Sequence, residues 1–288
     1  MEAMFKEYFA NQIINVSASK IIKTDSIKVG CSNCKVRNLC LPTGLSPREI
    51  DRFDDLVVAR IKVKRGESLI RHGEKFTGLY AIRIGFFKTR MVSVEGREQV
   101  IGFPMAGDII GMDGIETESH VGDAVALEDS EVCVMPFTQV EALYREVSAL
   151  QHHIHKIMSQ EIVRQRSLIS LIGNFRSEER IAAFLLTLTQ RLHARGYSKS
   201  ELVLRMTREE IGSLLCVHLE TVSRAFSRFA REGILEVKHR HLHILDMAAL
   251  QNVVNPRVCK RGMEKQKAYQ PLPFRPPVVA MLSLGAAC

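Results

Sequence analysis

The sequence predicts an α+β chain: an N-terminal antiparallel β-roll, a long helix, and a C-terminal helix-turn-helix carrying a β wing. Three observations predict it. Between Val57 and Phe137 short alternating apolar runs are punctuated by glycines at fairly even spacing. From Gln139 to Ile172 the apolar period turns helical, with few glycines or prolines. After Thr207 come two short amphipathic helices separated by a three- or four-residue break. The expected units are 1–45, a cysteine-rich segment; 46–138, the roll; 139–173, the long helix; 174–255, the winged helix-turn-helix; and 256–288, a disordered tail.

A chain of 288 residues holds two domains comfortably, and 46% hydrophobic with 25% charged residues is an ordinary globular composition. No run of about eighteen apolar residues is present, so no membrane partner or spanning helix is expected. Met1 to Asn11 carries Glu2, Lys6 and Glu7 without an apolar stretch, which argues against export and for a cytoplasmic protein. The net charge of +8 favours a polyanionic partner. Seven cysteines, an odd number without an export signal, speak for reduced thiols or metal ligands and against a disulfide framework.

Each element has its own local cause. Ser46-Pro47-Arg48-Glu49 sets an N-cap, a proline at N1 and a glutamate at N3, so a helix starts at Ser46. The roll follows, with strands expected at Leu79–Ile82, Phe86–Val94 and Val132–Phe137, and turns at Gly66, Gly73, Gly78, Gly85, Gly96, Gly102, Gly107 and Gly111. In the long helix Ile154, Met158, Ile162, Gln165, Ile169 and Ile172 recur at steps of four and three. That is a heptad-like seam. A core-packing helix would also show it, but the charged flanks Glu161, Arg164 and Arg166 leave only one stripe to bury, which favours pairing in a homodimer. Gln165 on the seam weakens such pairing. A helix from Asn174 to Ala194 turns Ile181, Phe184, Leu185 and Leu188 inward, and a short strand runs from Leu202 to Arg205.

Thr207-Arg208-Glu209-Glu210 is a second capping box, followed by inward Ile211, Leu214 and Leu215, a break at Cys216-Val217-His218, and a helix to Arg231 stopped by Gly233. The outward face of that second helix carries Glu220, Thr221, Ser223, Arg224, Ser227 and Arg228. Arginine bonds two acceptors of guanine, glutamate accepts from the cytosine amino group, and serine bonds either kind of edge, so the set suits the major groove of double-stranded DNA. Arg228 and Arg231 lie further along, where phosphates are reached. Ile234 to Ile244 reads as a two-stranded wing, on which His239, His241 and His243 share one strand face near phosphates.

Cys31, Cys34 and Cys40 pack three thiols into ten residues with no regular structure demanding them. Such density holds a soft metal centre, zinc or iron–sulfur, with an isolated redox pair as a third option. Cys133 becomes the natural fourth ligand if the N-terminal segment folds back on the roll, whereas Cys216 reads as a small buried core residue.

Taken together these motifs resemble the fumarate–nitrate reduction (FNR) regulators of the cyclic-AMP receptor superfamily. The resemblance covers roughly residues 28–255. It rests on Asn38-Leu39-Cys40, Leu79-Tyr80-Ala81-Ile82-Arg83 with Gly85, Phe103 with Ala106-Gly107-Asp108, Cys133 with Pro136-Phe137, Met158-Ser159 with Glu161-Ile162, and Glu220-Thr221-Val222-Ser223-Arg224. It implies a roll of the cyclic-nucleotide-binding type and a [4Fe-4S] cluster on Cys31, Cys34, Cys40 and Cys133. It also implies that Glu220, Ser223 and Arg224 read a TTGAT-like half-site. In that family oxygen degrades the cluster, the dimer loosens and DNA is released; RNA polymerase is met through exposed roll loops, here Val94 to Gln99. Two departures stand out: Cys216 replaces the usual glycine of the turn, and Gln165 replaces a common acidic residue on the seam. The first implies a strained turn, the second a leakier dimer.

Rival readings are weaker. A cyclic-nucleotide regulator needs a glutamate for the ribose and an Arg-Ser pair for the phosphate; Met112 stands at the former, and Asp123 would repel the latter, so no cyclic nucleotide is expected. No Walker loop, Gly-x-Ser-x-Gly or His-Glu-x-x-His motif supports an enzyme, and Asp108 and Asp113 read as turn aspartates beside glycines. A zinc-stabilised DNA-binding regulator without sensing needs only another metal on the same thiols.

Overall fold

The computed structural model describes residues 21–22, 31, 34–41, 45–93 and 95–254. The tail, with Cys259 and Cys288, lies outside the described residues, as do most of residues 1–30 and Val94. Strands β1 to β9 span Ile21–Ile22, Ala59–Val63, Ser68–Ile70, Gly78–Ile84, Phe87–Val92, Glu98–Gly102, Ile109–Ile110, Asp123–Ala126 and Ser130–Pro136. Helices α1 (Arg37–Cys40) and α2 (Pro47–Leu56) precede most of them; α3 (Phe137–Glu146), α4 (Ser148–Asn174) and α5 (Ser177–His193) follow. The chain continues through β10 (Glu201–Val203), α6 (Arg208–Leu215), α7 (Leu219–Arg231), β11 (Leu235–Lys238), β12 (His241–Ile244) and α8 (Met247–Val254).

The roll is built from two antiparallel sheets, ordered β1-β2-β9-β4-β7 and β3-β8-β5-β6. Their inner faces bury Ile61, Val63, Ile70, Ile82, Phe87 and Val132, the period-2 pattern that glycine-punctuated strands require. Helix α2 begins at Ser46 as expected. The Ser46 hydroxyl accepts from the Glu49 amide at 3.4 Å and the Glu49 carboxylate from the Ser46 amide at 2.7 Å.

A single helix was expected from Gln139 to Ile172; instead the chain breaks at Val147, with φ −121° and ψ 94°. Val147 is buried in the same apolar cluster as Val140, Leu143, Leu150 and Ile154, and the bend lets both helices contribute to it. Beyond Ile154, α4 has no buried residue, and Met158, Ile162, Val163 and Ile169 are exposed. Ile154, expected on the seam, is only 8% exposed and serves this chain's own core.

The C-terminal unit packs α5, α6, α7 and α8 around Ile181, Leu185, Ile211, Leu215, Val222, Phe226 and Phe229. Each fully buried phenylalanine stabilises this core by about 1.5–3 kcal/mol. The same cluster includes Phe86, Val100, Phe103, Met105 and Leu127 of the roll, so one continuous apolar core joins the two units. Polar contacts line its edge: Lys88 Nζ lies 2.7 Å from Glu210 Oε1, the Val100 amide donates to Ser213 Oγ at 2.9 Å, and Arg205 Nε lies 3.1 Å from Glu128.

Candidate functional site

The cysteine site is assembled from three parts of the chain. Cys31 and Cys34 lie on the segment before α1, Cys40 ends α1, and Cys133 sits midway along β9. All four line one almost wholly apolar cavity, together with Arg37, Leu41, Phe53, Leu79, Ala81, Arg83, Met135 and Ile154. The N-terminal segment thus folds back on the roll, the condition set above for Cys133 to join the other three. Among the described residues no three Cys, His, Asp or Glu side chains are gathered as ligands of a single ion.

Burial pushes the Cys31 thiol well above its ordinary range, reinforced by Asp54 and the neighbouring thiols, and pushes Cys40 up to about 12. Burial likewise raises Cys133. Thiolates at these positions therefore need a cation beside them, which is what a bound metal centre provides. The donor set of soft thiols in a water-poor apolar wall fits an iron–sulfur group.

Several neighbours of this cavity escape a reading by motif. Asp54 on α2 accepts from the Cys31 amide, and His153 Nε2 lies 3.1 Å from the Cys40 carbonyl oxygen. Gly107 has φ +90°, and a Cβ there would stand 2.7 Å from Leu39, so a glycine lets the cysteine segment lie against the roll. Its neighbour Asp108, read from the sequence as a turn aspartate, keeps only 11% of its side chain exposed and is bound by Arg191 at 2.6 Å and Arg195 at 2.8 Å. Burial pushes its carboxyl up, but Arg191, Arg195 and Arg164 outweigh that and hold it below the usual range. Arg191 and Arg195, four apart where α5 ends, are the sequence signal that could have pointed there.

The second candidate surface is α7. Thr207 caps α6, its hydroxyl accepting from the Glu210 amide at 3.1 Å. Residues 216–218 form the break. Cys216 was expected to be buried; it is exposed, at φ +53° and ψ 48°. The left-handed turn that a glycine would take easily carries its side chain outward. Gly212 lies under the turn, where a Cβ would stand 2.5 Å from the Val217 carbonyl oxygen.

Val222, Phe226 and Phe229 face inward, leaving Glu220, Arg224, Ser227 and Arg228 exposed and Thr221 and Ser223 half-buried. Arg208, unnoticed in the sequence, donates to Ser223 Oγ at 3.2 Å and stacks over Phe226. Arg228 is engaged by the carboxylates of Glu178 and Glu232. In the wing β12 pairs with both β11 and β10, and His241 and His243 lie on the strand. His239 does not share their face, because it sits in the turn at φ +55°.

Residues 60–147 match the cyclic nucleotide-binding domain and residues 179–253 the Crp-like helix-turn-helix domain. Over 229 residues the chain is 41% identical to the transcriptional regulatory protein btr of Bordetella pertussis, covering 80% of this chain and 95% of that protein. The chain belongs to the CRP/FNR family of transcription regulators. Among its relatives is the fumarate and nitrate reduction regulatory protein of Vibrio cholerae, 36% identical over 236 residues, or 82% of this chain and 94% of that protein. Among solved structures FixK2 from Bradyrhizobium japonicum superposes with a TM-score of 0.62 at 25% identity, covering 67% of this chain and 96% of that one. Membership of the CRP/FNR family makes the α6–α7 pair a DNA-binding helix-turn-helix and the chain a regulator, not an enzyme.

Proposed function

We propose that this CRP/FNR regulator is a homodimer that senses oxygen through a [4Fe-4S] cluster on Cys31, Cys34, Cys40 and Cys133. In this reading the loaded dimer binds a palindromic TTGAT-like site and controls anaerobic gene expression. One observation carries it: four thiols, three from the segment around α1 and one from β9, line a single apolar cavity. The FNR-type relatives support the same reading. When bound, the cluster supplies an oxygen-labile link between the cysteine segment and β9. The chain's own part is to exclude water and to hold the thiols together.

The rest of the machinery follows from the elements. Met158, Ile162 and Ile169 offer an exposed apolar stripe to a second copy of α4, with Gln165, bound to Glu161 at 2.6 Å, as its weak point. Two α7 helices related by a two-fold axis then meet successive major grooves about 34 Å apart. There Glu220, Thr221, Ser223 and Arg224 read bases, and Arg228 meets the backbone. The loop ending at Gln99 is the surface offered to RNA polymerase. Cyclic nucleotides are not expected, because Asp123 is ion-paired with Arg90 at 2.8 Å and presents a carboxylate where a phosphate would lie.

The test is anaerobic purification with visible absorbance and quantification of iron, sulfide and zinc. About four irons per chain, a brown colour that bleaches in air, and loss of iron in Cys133→Ser are the expected results. A colourless protein holding one zinc would overturn the sensing claim.

A further inference from the structure

We propose that Arg83, backed by Arg60 and Glu131, is a positioning residue of the cysteine cavity, supplying positive charge and an N–H donor to the iron–sulfur group. This rests on the cluster reading above and concerns residues of the roll that are not ligands. Strand β9 lies between β2 and β4, and Cys133 stands directly opposite Arg60 on one side and Ala81 on the other. Directly opposite residues share a face of the sheet, so the Arg60 side chain leaves the sheet on the same side as the Cys133 thiol.

Arg83 reaches that neighbourhood by the alternation of β4, two residues beyond Ala81, so that Leu79, Ala81 and Arg83 all line the cavity with the four cysteines. Ile82 pairs with Val132 and Ile84 with Glu131, so Arg83 stands at a bulge and has no ladder partner on β9. Its Nη1 donates to Glu131 Oε1 at 2.8 Å, and Arg60 Nε stands 4.0 Å from the same oxygen. The Arg83 Nε is buried and has no hydrogen-bond partner among the described residues.

The Arg83 and Arg60 guanidiniums both face the Glu131 carboxylate, which places positive charge beside Cys133. Elsewhere at the cavity Asp54 faces Cys31, while Asp108 is already neutralised by Arg191 and Arg195. A four-thiolate cluster is anionic, and an apolar cavity cannot hold such a charge cheaply without a counter-charge. Charge and donors directed at the sulfurs are also what set a cluster's potential and lability.

The experiment compares the full-length wild type, Arg83→Gln and Arg83→Lys, all loaded without oxygen. Iron content, the reduction midpoint potential and the rate of iron loss to a ferrous chelator are measured. Arg83→Gln is expected to show a lower potential and severalfold faster iron loss, because a removed cation disfavours added negative charge. Arg83→Lys should return most of the way. Iron missing from Arg83→Gln but present in Arg83→Lys supports the same conclusion. Full iron with unchanged potential and rate in Arg83→Gln overturns it, as does equal loss of iron from both variants, which would make Arg83 a mere part of the cavity wall. A wild type without iron refutes the underlying cluster reading before any variant is compared.

Discussion

At φ +53° Cys216 holds a left-handed conformation that costs a side chain about 1–2 kcal/mol and a glycine little. Cys216→Gly is therefore expected to stabilise the chain by about 0.5–1 kcal/mol, net of the greater freedom glycine gains on unfolding. Thermal unfolding of Cys216→Gly beside Cys216→Ala separates this from loss of the thiol, since alanine keeps the strain. On α7 the exposed Glu220 and Arg224 are the proposed base readers; changing either to alanine should cost about 1–3 kcal/mol and relax choice at one base pair. Arg228→Ala should instead weaken binding evenly across sequences and flatten the salt dependence, as titrations on matched and mismatched duplexes would show. Features made by neighbours in sequence, such as the Ser46 and Thr207 capping boxes, were legible because a side chain closes them three residues away. The outward Cys216 was not, since a turn's handedness decides which way its side chain points.

Among the described elements, α4 is the long helix that leaves an apolar stripe uncovered in a single chain. Only Leu150 and Ile154 are buried along its length, although Leu168 and Leu171 rest partly on the C-terminal core. Ile162→Glu should weaken dimerisation at least tenfold, while Gln165→Ile should strengthen it by restoring an apolar seam. Sedimentation equilibrium measures both; an Ile162→Glu chain that dimerises like the wild type would remove α4 from the interface. The heptad spacing made this stripe legible from Met158 onward. It did not show the break at Val147 or that Ile154 turns inward, because both depend on a cavity that only the folded cysteine segment and roll create. Periodicity reports which face is apolar, not what covers it.

Across the whole molecule, the roll and the DNA-binding unit share one core and meet at Asp108. Arg195 Nε also donates to the Ala106 carbonyl at 2.5 Å, and Arg191 Nη1 to that of Phe103 at 3.1 Å, so the loop under Leu39 is tied to the end of α5. Asp108→Asn would leave these buried guanidiniums without their counter-charge, at a cost of about 3–5 kcal/mol. Because the folded carboxyl is held below its unfolded value, its stabilisation is present above that unfolded value and is lost as pH falls through the lower folded one. Urea unfolding across acidic pH should show this added loss in the wild type and not in Asp108→Asn. The fold class and order of elements were legible in glycine spacing, period changes and caps. The junction was not, since it joins Asp108 to Arg191 and Arg195 across more than eighty residues.

Control of DNA binding by the cysteine cavity is read from the affinity of one wild-type preparation for a palindromic TTGAT-like duplex. It would be titrated anaerobically with its iron in place, then again after the iron is removed by chelator. Binding by the iron-loaded protein is expected to be at least about tenfold tighter, with the weakening matched by loss of dimer. Equal affinity in the two states, with four irons shown to have left, would contradict it.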